Sequence, residues 1–112
     1  ENKKAIETFI KLIESDPTMC FAYSKLAILY LLEGNKSLSD DLLQIAKDNM
    51  GKDNYGQIGL SCYHSHIGNI NQSLIYLNTA IEMGFDDFSW LKFDPDLANV
   101  RESTEFWKLI EG

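Results

Sequence analysis

Cys62, His64 and His66 form the densest run of potential metal ligands in the chain, and Asp94-Pro95-Asp96 brings two carboxylates close together. On a helix, Cys62 and His66 fall one turn apart on a shared face, while His64 points elsewhere. Two ligands fall short of the four that a structural zinc takes, and the usual paired-cysteine spacing is absent. His64 also stands at the place Tyr30 holds one repeat earlier, so packing accounts for it. The two aspartates could serve general acid–base work or a divalent cation, but the sequence spaces neither a nucleophile nor further oxygen ligands around them. A helix-capping role, or a salt bridge to Arg101, is the expectation for this pair. Glycine-rich phosphate loops are absent, and the spacing of serine, histidine and aspartate gives no reason to assemble a triad. The residues therefore predict no catalytic group, no metal and no cofactor.

The elements that must position these side chains are helical. At 112 residues with 45% apolar composition the chain has the length and content for one packed domain or a short repeat array. Two prolines and seven glycines leave few interruptions. A net charge of −7 argues against nucleic acid, whose phosphates need a basic surface. The stretch Asp86–Gly112 holds seven acidic residues against three basic ones, which reads as a solvated outer face or as an attraction for basic partners. Cys20 and Cys62 are too few for a disulfide framework and lie in helical patterns, so reduced, packed thiols are expected. No apolar run approaches a membrane span and no signal-peptide pattern opens the chain, which gives a cytoplasmic expectation.

Apolar residues Ala5, Ile6, Phe9, Ile10, Leu12 and Ile13 mark an amphipathic helix over Lys3–Glu14, stopped by Asp16-Pro17. A second helix, Cys20–Glu33, is apolar nearly all round and needs cover on more than one side. Gly34-Asn35 turns the chain, with Asn35 placed to cap a third helix over Lys36–Asn49. The same events then recur: a helix from Asn54 to near Ile67, the turn Gly68-Asn69 with Gln72 completing a capping-box pattern, and a helix to Met83 closed by Gly84. Leu26 matches Leu60, Gly34 matches Gly68, Asn35 matches Asn69, Ser39 matches Ser73, Leu43 matches Leu77 and Ala46 matches Ala80, all 34 residues apart. Such a period with helical patterning marks stacked helix–turn–helix units. After Phe85 the period lapses. Phe85–Val100 is rich in large apolar residues and predicts one or two short helical turns, partly 3₁₀, before Ser103 caps a last helix.

At these residues the chain resembles the tetratricopeptide repeat family. Small residues followed four later by a large one (Ala5 with Phe9, Ser39 with Leu43, Ser73 with Leu77) are followed by Leu12, Ala46 and Ala80. The family's Leu-Gly and Tyr pattern appears as Leu26-Ala27 with Tyr30, and as Leu60-Ser61 with His64. Tyr23 stands where the family often has tryptophan, and Gln57 departs from it. The tail, with Gly84-Phe85, Trp90-Leu91, Asp94-Pro95-Asp96-Leu97, Val100-Arg101 and Phe106, resembles the element that closes many bacterial arrays of this kind. Six of the thirteen aromatics lie from Phe85 onward, consistent with a cap; an exposed docking patch is the rival reading.

The resemblance implies an all-α, right-handed solenoid of antiparallel helix pairs in one array. Residues 1–17 would be the second helix of a partial repeat, 18–51 and 52–85 repeats, and 86–112 a terminal cap. Glu1 would then fall near the turn inside a repeat, leaving the opening helix without its partner, to be covered by preceding repeats or by a second copy. The resemblance further implies a non-catalytic protein-interaction module with a concave wall, its contacts drawn from Phe21, Ser24, Lys25, Ile28, Tyr55, Ile58, Cys62 and His66. Ile28 and Cys62 replace the asparagines of a carboxylate clamp, so a peptide or protein held by apolar and aromatic contacts is the expected partner. The alternative function is a regulatory or dimerising appendage of a larger signalling protein or enzyme.

Overall fold

Proline and glycine punctuation divides the chain into helices close to the expected bounds. The computed structural model describes residues 2–51 and 53–111. The helices are α1 (Asn2–Ser15), α2 (Cys20–Leu32), α3 (Lys36–Asp48), α4 (Asn54–His66), α5 (Ile70–Glu82), α6 (Phe88–Phe93) and α7 (Thr104–Glu111), with 3₁₀ turns at Pro95–Leu97 and Val100–Glu102. No strand occurs among the described residues.

Each boundary has a local cause. Asp16 Oδ1 accepts from the Thr18 backbone N–H at 3.0 Å and from its hydroxyl at 2.6 Å, fixing the turn at Pro17. Asn35 Oδ1 accepts from Leu38 N–H at 3.2 Å, and Asp53 Oδ1 from Tyr55 N–H at 2.9 Å, so both helices are capped by side chains. The capping box read at Asn69 does not form, because Asn69 makes no side-chain cap bond. Gly34 and Gly68 sit at φ 82° and 83°, a region that admits glycine freely. In both turns the next residue closes the helix: Asn35 N–H donates to Tyr30 O at 2.9 Å and Asn69 N–H to His64 O at 2.8 Å.

The helices α2 and α3 form one antiparallel hairpin and α4 and α5 a second, while α1 packs along α2. Close approach within each hairpin depends on its serines. Ser39 Oγ donates to the Ala27 carbonyl at 2.7 Å, and Ser73 Oγ, 34 residues later, to the Ser61 carbonyl at 2.9 Å. Between hairpins the small residues are glycines. A Cβ on Gly59 would lie 3.0 Å from Ser24 Cβ and 3.1 Å from Phe21 Cα, and one on Gly56 3.1 Å from Cys20 Cβ. The core runs through α2 and α4, with Ile28, Ile58, Leu60 and Cys62 essentially inaccessible. With a radius of gyration of 13.2 Å the whole is a compact all-helical globule.

Residues 86–111 leave the hairpin pattern and fold back over α4 and α5. Leu91, Leu97, Val100 and Phe106 are fully buried there. Each such side chain contributes about 1.5–3 kcal/mol through apolar area removed from water, so apolar burial is what chiefly holds this tail in place.

Candidate functional site: the wall beneath the tail

A lysine on a helix as apolar as α2 must either reach water or find a carboxylate, because an unpaired buried charge is strongly unfavourable. Lys25 finds two. Its Nζ lies 2.8 Å from Asp94 Oδ2 and 2.8 Å from Asp96 Oδ2, with Lys25 and Asp94 both nearly inaccessible. The pair expected to bridge to Arg101 therefore bridges to Lys25. Arg101 instead donates through Nη1 to the backbone carbonyls of Leu91 at 2.9 Å and Asp94 at 2.7 Å, tying the tail's turns together. The capping role holds in part, since Asp94 Oδ1 accepts from Asp96 N–H at 2.9 Å at the start of the first 3₁₀ turn.

Asp94 Oδ2 also accepts from the Trp90 indole N–H at 2.7 Å and lies 3.8 Å from Cys62 Sγ. Burial pushes the Asp94 carboxyl up, but Lys25, the Asp96 N–H and the Trp90 indole outweigh it and hold the group below its ordinary value. Burial likewise opposes the Lys25 charge, yet Asp96 and Asp94 beside it raise its pKa above the usual lysine value. The Cys62 thiol is pushed far up by burial, despite the neighbouring Lys25. At neutral pH Lys25 is an ammonium, Asp94 a carboxylate engaged on both oxygens, and Cys62 a neutral thiol. Replacing such a buried pair with apolar groups is often close to neutral, whereas breaking it is costly. Lys25 thus fixes where the tail lies more than how tightly it is held.

Around this ionic knot runs a chain of rings. Phe9 meets Phe21 edge-on at 6.3 Å, Phe21 meets Trp90 at 5.5 Å, and Trp90 contacts Tyr55 at 5.9 Å and Phe85 at 5.5 Å. Lys25 Nζ lies 5.7 Å from the Phe21 ring centre, adding a cation–π contact. The tail is therefore seated against α2 and α4 by aromatic and ionic contacts together. Further along, Asn99 Nδ2 donates to the Ser65 carbonyl at 2.9 Å and Val100 N–H to Ser65 Oγ at 3.1 Å.

The residues expected to line an open groove divide accordingly. Ser24, Ile28, Ile58 and Cys62 are fully buried, Lys25 is nearly so, Phe21 and His66 are half-buried, and Tyr55 is 50% exposed. Cys62 faces Asp94 and not a metal-binding group; among the described residues no three of His, Cys, Asp and Glu gather in a way that could hold an ion. His64 packs as expected, stacked on Tyr76 at 5.5 Å and 11°, with Nδ1 lacking a hydrogen-bond partner. No described helix is long and apolar enough to cross a membrane.

Sequence reasoning missed Phe9 and Phe93 as site residues. Ala5 and Phe9 of α1, Leu29 of α2, and Trp90, Phe93 and Asp96 of the tail enclose an open cleft of about 470 Å³ beside the Lys25 knot. Phe93, 77% exposed, stands at its rim. The lone cation on α2 was the available signal: an otherwise apolar helix leaves Lys25 in need of a carboxylate, though the sequence does not say which. No protein-family model, curated protein or solved structure matches the chain.

Proposed function

We propose that the chain is a non-catalytic protein-binding module of the tetratricopeptide kind, with residues 86–112 closing the end of its helix stack. The observation that carries this reading is the recurrence of one hairpin, with the same serine-to-carbonyl bond and the same glycine turn, at a 34-residue offset. Stacked units of this type present rigid, extended walls and supply binding surface more readily than concave reaction chambers. The seated tail supports the same reading, since the wall of α2 and α4 already holds an aromatic, acidic segment. A protein or peptide partner then meets the surface the tail leaves open, where Phe21, Tyr55 and His66 keep accessible area. The net charge of −7 disfavours nucleic acid in that place.

The test is capture of a partner on the purified chain, followed by titration calorimetry with the identified, purified protein. Tyr55→Ala and Phe21→Ala are expected to weaken it at least about tenfold, as truncation of an aromatic anchor does. Unchanged affinity in both variants, with folding intact by circular dichroism, removes the groove from the account.

A further inference from the structure

Of the chain's two cysteines and three methionines, Met19, Cys20 and Met50 line one cavity of about 400 Å³, where the turn before α2 meets the link between α3 and α4. Cys20 opens α2 at 3% exposure, and both methionines are half-buried. Gly56 makes the meeting possible: a Cβ there would lie 3.2 Å from Cys20 Sγ and 3.3 Å from the Met50 carbonyl oxygen. The thiol donates only weakly, to the Gly56 carbonyl at 3.7 Å. One helical turn on, Ser24 is fully buried and its hydroxyl has no hydrogen-bond partner. Burial holds the Cys20 thiol above its ordinary pKa; Ser24 works against that by favouring the thiolate, and Asp53 adds to the rise. The orphaned hydroxyl is thus a donor whose natural acceptor is a thiolate at Cys20. Asp16, Asp48 and Asp53 also line the cavity, and no cation is among its described lining residues. Each aspartate spends one oxygen locally, on Thr18, Gln44 and Tyr55 respectively.

We propose that Met19, Cys20 and Met50 form a binding site for a soft monovalent cation of the copper(I) class. Thiolate and thioether sulfurs select that class over the harder cations that carboxylates prefer. Among the described residues no three of His, Cys, Asp and Glu gather to hold an ion, so zinc and calcium find no cage here, and thioethers serve neither. On binding, the Cys20 thiol gives its proton to solvent and a sulfur–metal bond forms, with no change in oxidation state. Ser24 then donates to the thiolate as an outer-shell group, and the three aspartates offset the metal's charge at the mouth. The ligands come from the turn before α2, the first turn of α2 and the link before α4. The bound cation therefore ties the two hairpins together at this end and stabilises the fold by mass action. The site is independent of the protein-binding reading and stands or falls apart from it.

The probe is copper(I), supplied under argon with ascorbate as its bicinchoninate complex and titrated with the full chain. The chain is expected to withdraw one copper(I) per molecule, read as loss of the chelate's visible absorbance, and to show a raised urea midpoint when loaded. Cys20→Ser should abolish both effects. Met19→Leu and Met50→Leu keep the side-chain volume and should each lower affinity at least about tenfold, since even outer-shell groups count for that much. Cys62→Ser, at the other thiol, should bind as the wild type does. Far-ultraviolet circular dichroism verifies folding, and the methionine variants carry the test if Cys20→Ser does not fold. No withdrawal of copper(I), a loss that follows Cys62 and not Cys20, or full affinity in both methionine variants overturns the site.

Discussion

Among the described residues three helices carry the same inner face, and two of these faces are covered. On α3 and α5 the small residues Ser39, Ala46, Ser73 and Ala80 are fully buried beneath α2 and α4. On α1 the corresponding Ala5 is half-buried and Leu12 is 36% exposed, while Phe9 is half-buried like its α3 counterpart Leu43. The covered faces are locked by hydrogen bonds from a serine hydroxyl to a carbonyl of the neighbouring helix, and the uncovered face lacks the hydroxyl that would make one. The same residue register therefore yields a buried contact where a neighbouring helix is present in the fold and an accessible face on α1. Helix α1 has no buried residue, while α4 has ten. The difference in burial between the two helices follows from cover, not from helix propensity.

The largest effect is expected at the knot that seats the tail. Lys25→Met leaves Asp94 buried without its counter-charge and should destabilise the fold by about 3–5 kcal/mol in urea unfolding. The sign of the linked pH effect is fixed by the lowered pKa of Asp94: its contribution is present above the ordinary value of 3.8 and is lost as pH falls through the lower folded value. Acid titration of the wild type should show that loss, and Asp94→Asn should lack it.

Next in size is a direct contrast between the two kinds of face. Ser73→Leu forces a large side chain into the contact of α4 with α5 and should cost about 1–3 kcal/mol or more. Ala5→Leu, at the equivalent position on α1, should fall within about 0.5 kcal/mol of wild type. Equal destabilisation by the two in chemical denaturation would erase the distinction. Gly59→Ala probes the contact between hairpins. Its Cβ would meet Ser24 Cβ at 3.0 Å and the Phe21 backbone at 3.1 Å, so a loss of about 1–3 kcal/mol is expected even though alanine favours helix.

The smallest effect concerns His64, which burial holds below its ordinary pKa of 6.5, with Lys47 adding to the shift. The unfolded chain takes up this proton first as pH falls, so stability should decline below the ordinary value until the folded histidine titrates too. His64→Phe, which keeps the ring on Tyr76, should flatten that decline in unfolding curves recorded between about pH 7 and pH 5.

The helices and their hairpin partners were legible in the sequence because periodicity and glycine turns are local signals. Gly34 and Gly68 mark the same turn twice, and Ser39 and Ser73 the same close approach. The tail was legible as a break in the period with a heavy load of aromatics, but not in its path. Nothing local says that Trp90 and Asp94 return to Lys25, a contact separated by 69 residues. That is why wall residues such as Ile28, Ile58 and Cys62 were expected at an open groove and lie buried. Asp94 was paired with Arg101 by proximity in sequence, whereas the stronger demand came from Lys25, a cation with no water to turn to. Phe9 was legible as part of a stripe; its role at a cleft depends on Phe93 and Trp90, which only the returning tail brings near.

Thiol labelling tests the central claim most directly. Single cysteines at Ala5, Ser39 and Ser73 are compared in a chain whose Cys20 and Cys62 are replaced by alanine, with the rate of modification measured under native conditions. The account predicts that Ala5→Cys reacts close to the rate of the unfolded chain. Ser39→Cys and Ser73→Cys should react roughly a thousandfold more slowly, since labelling there requires opening of a hairpin. Comparable protection at all three positions would show that α1 is covered like its counterparts and would contradict the account.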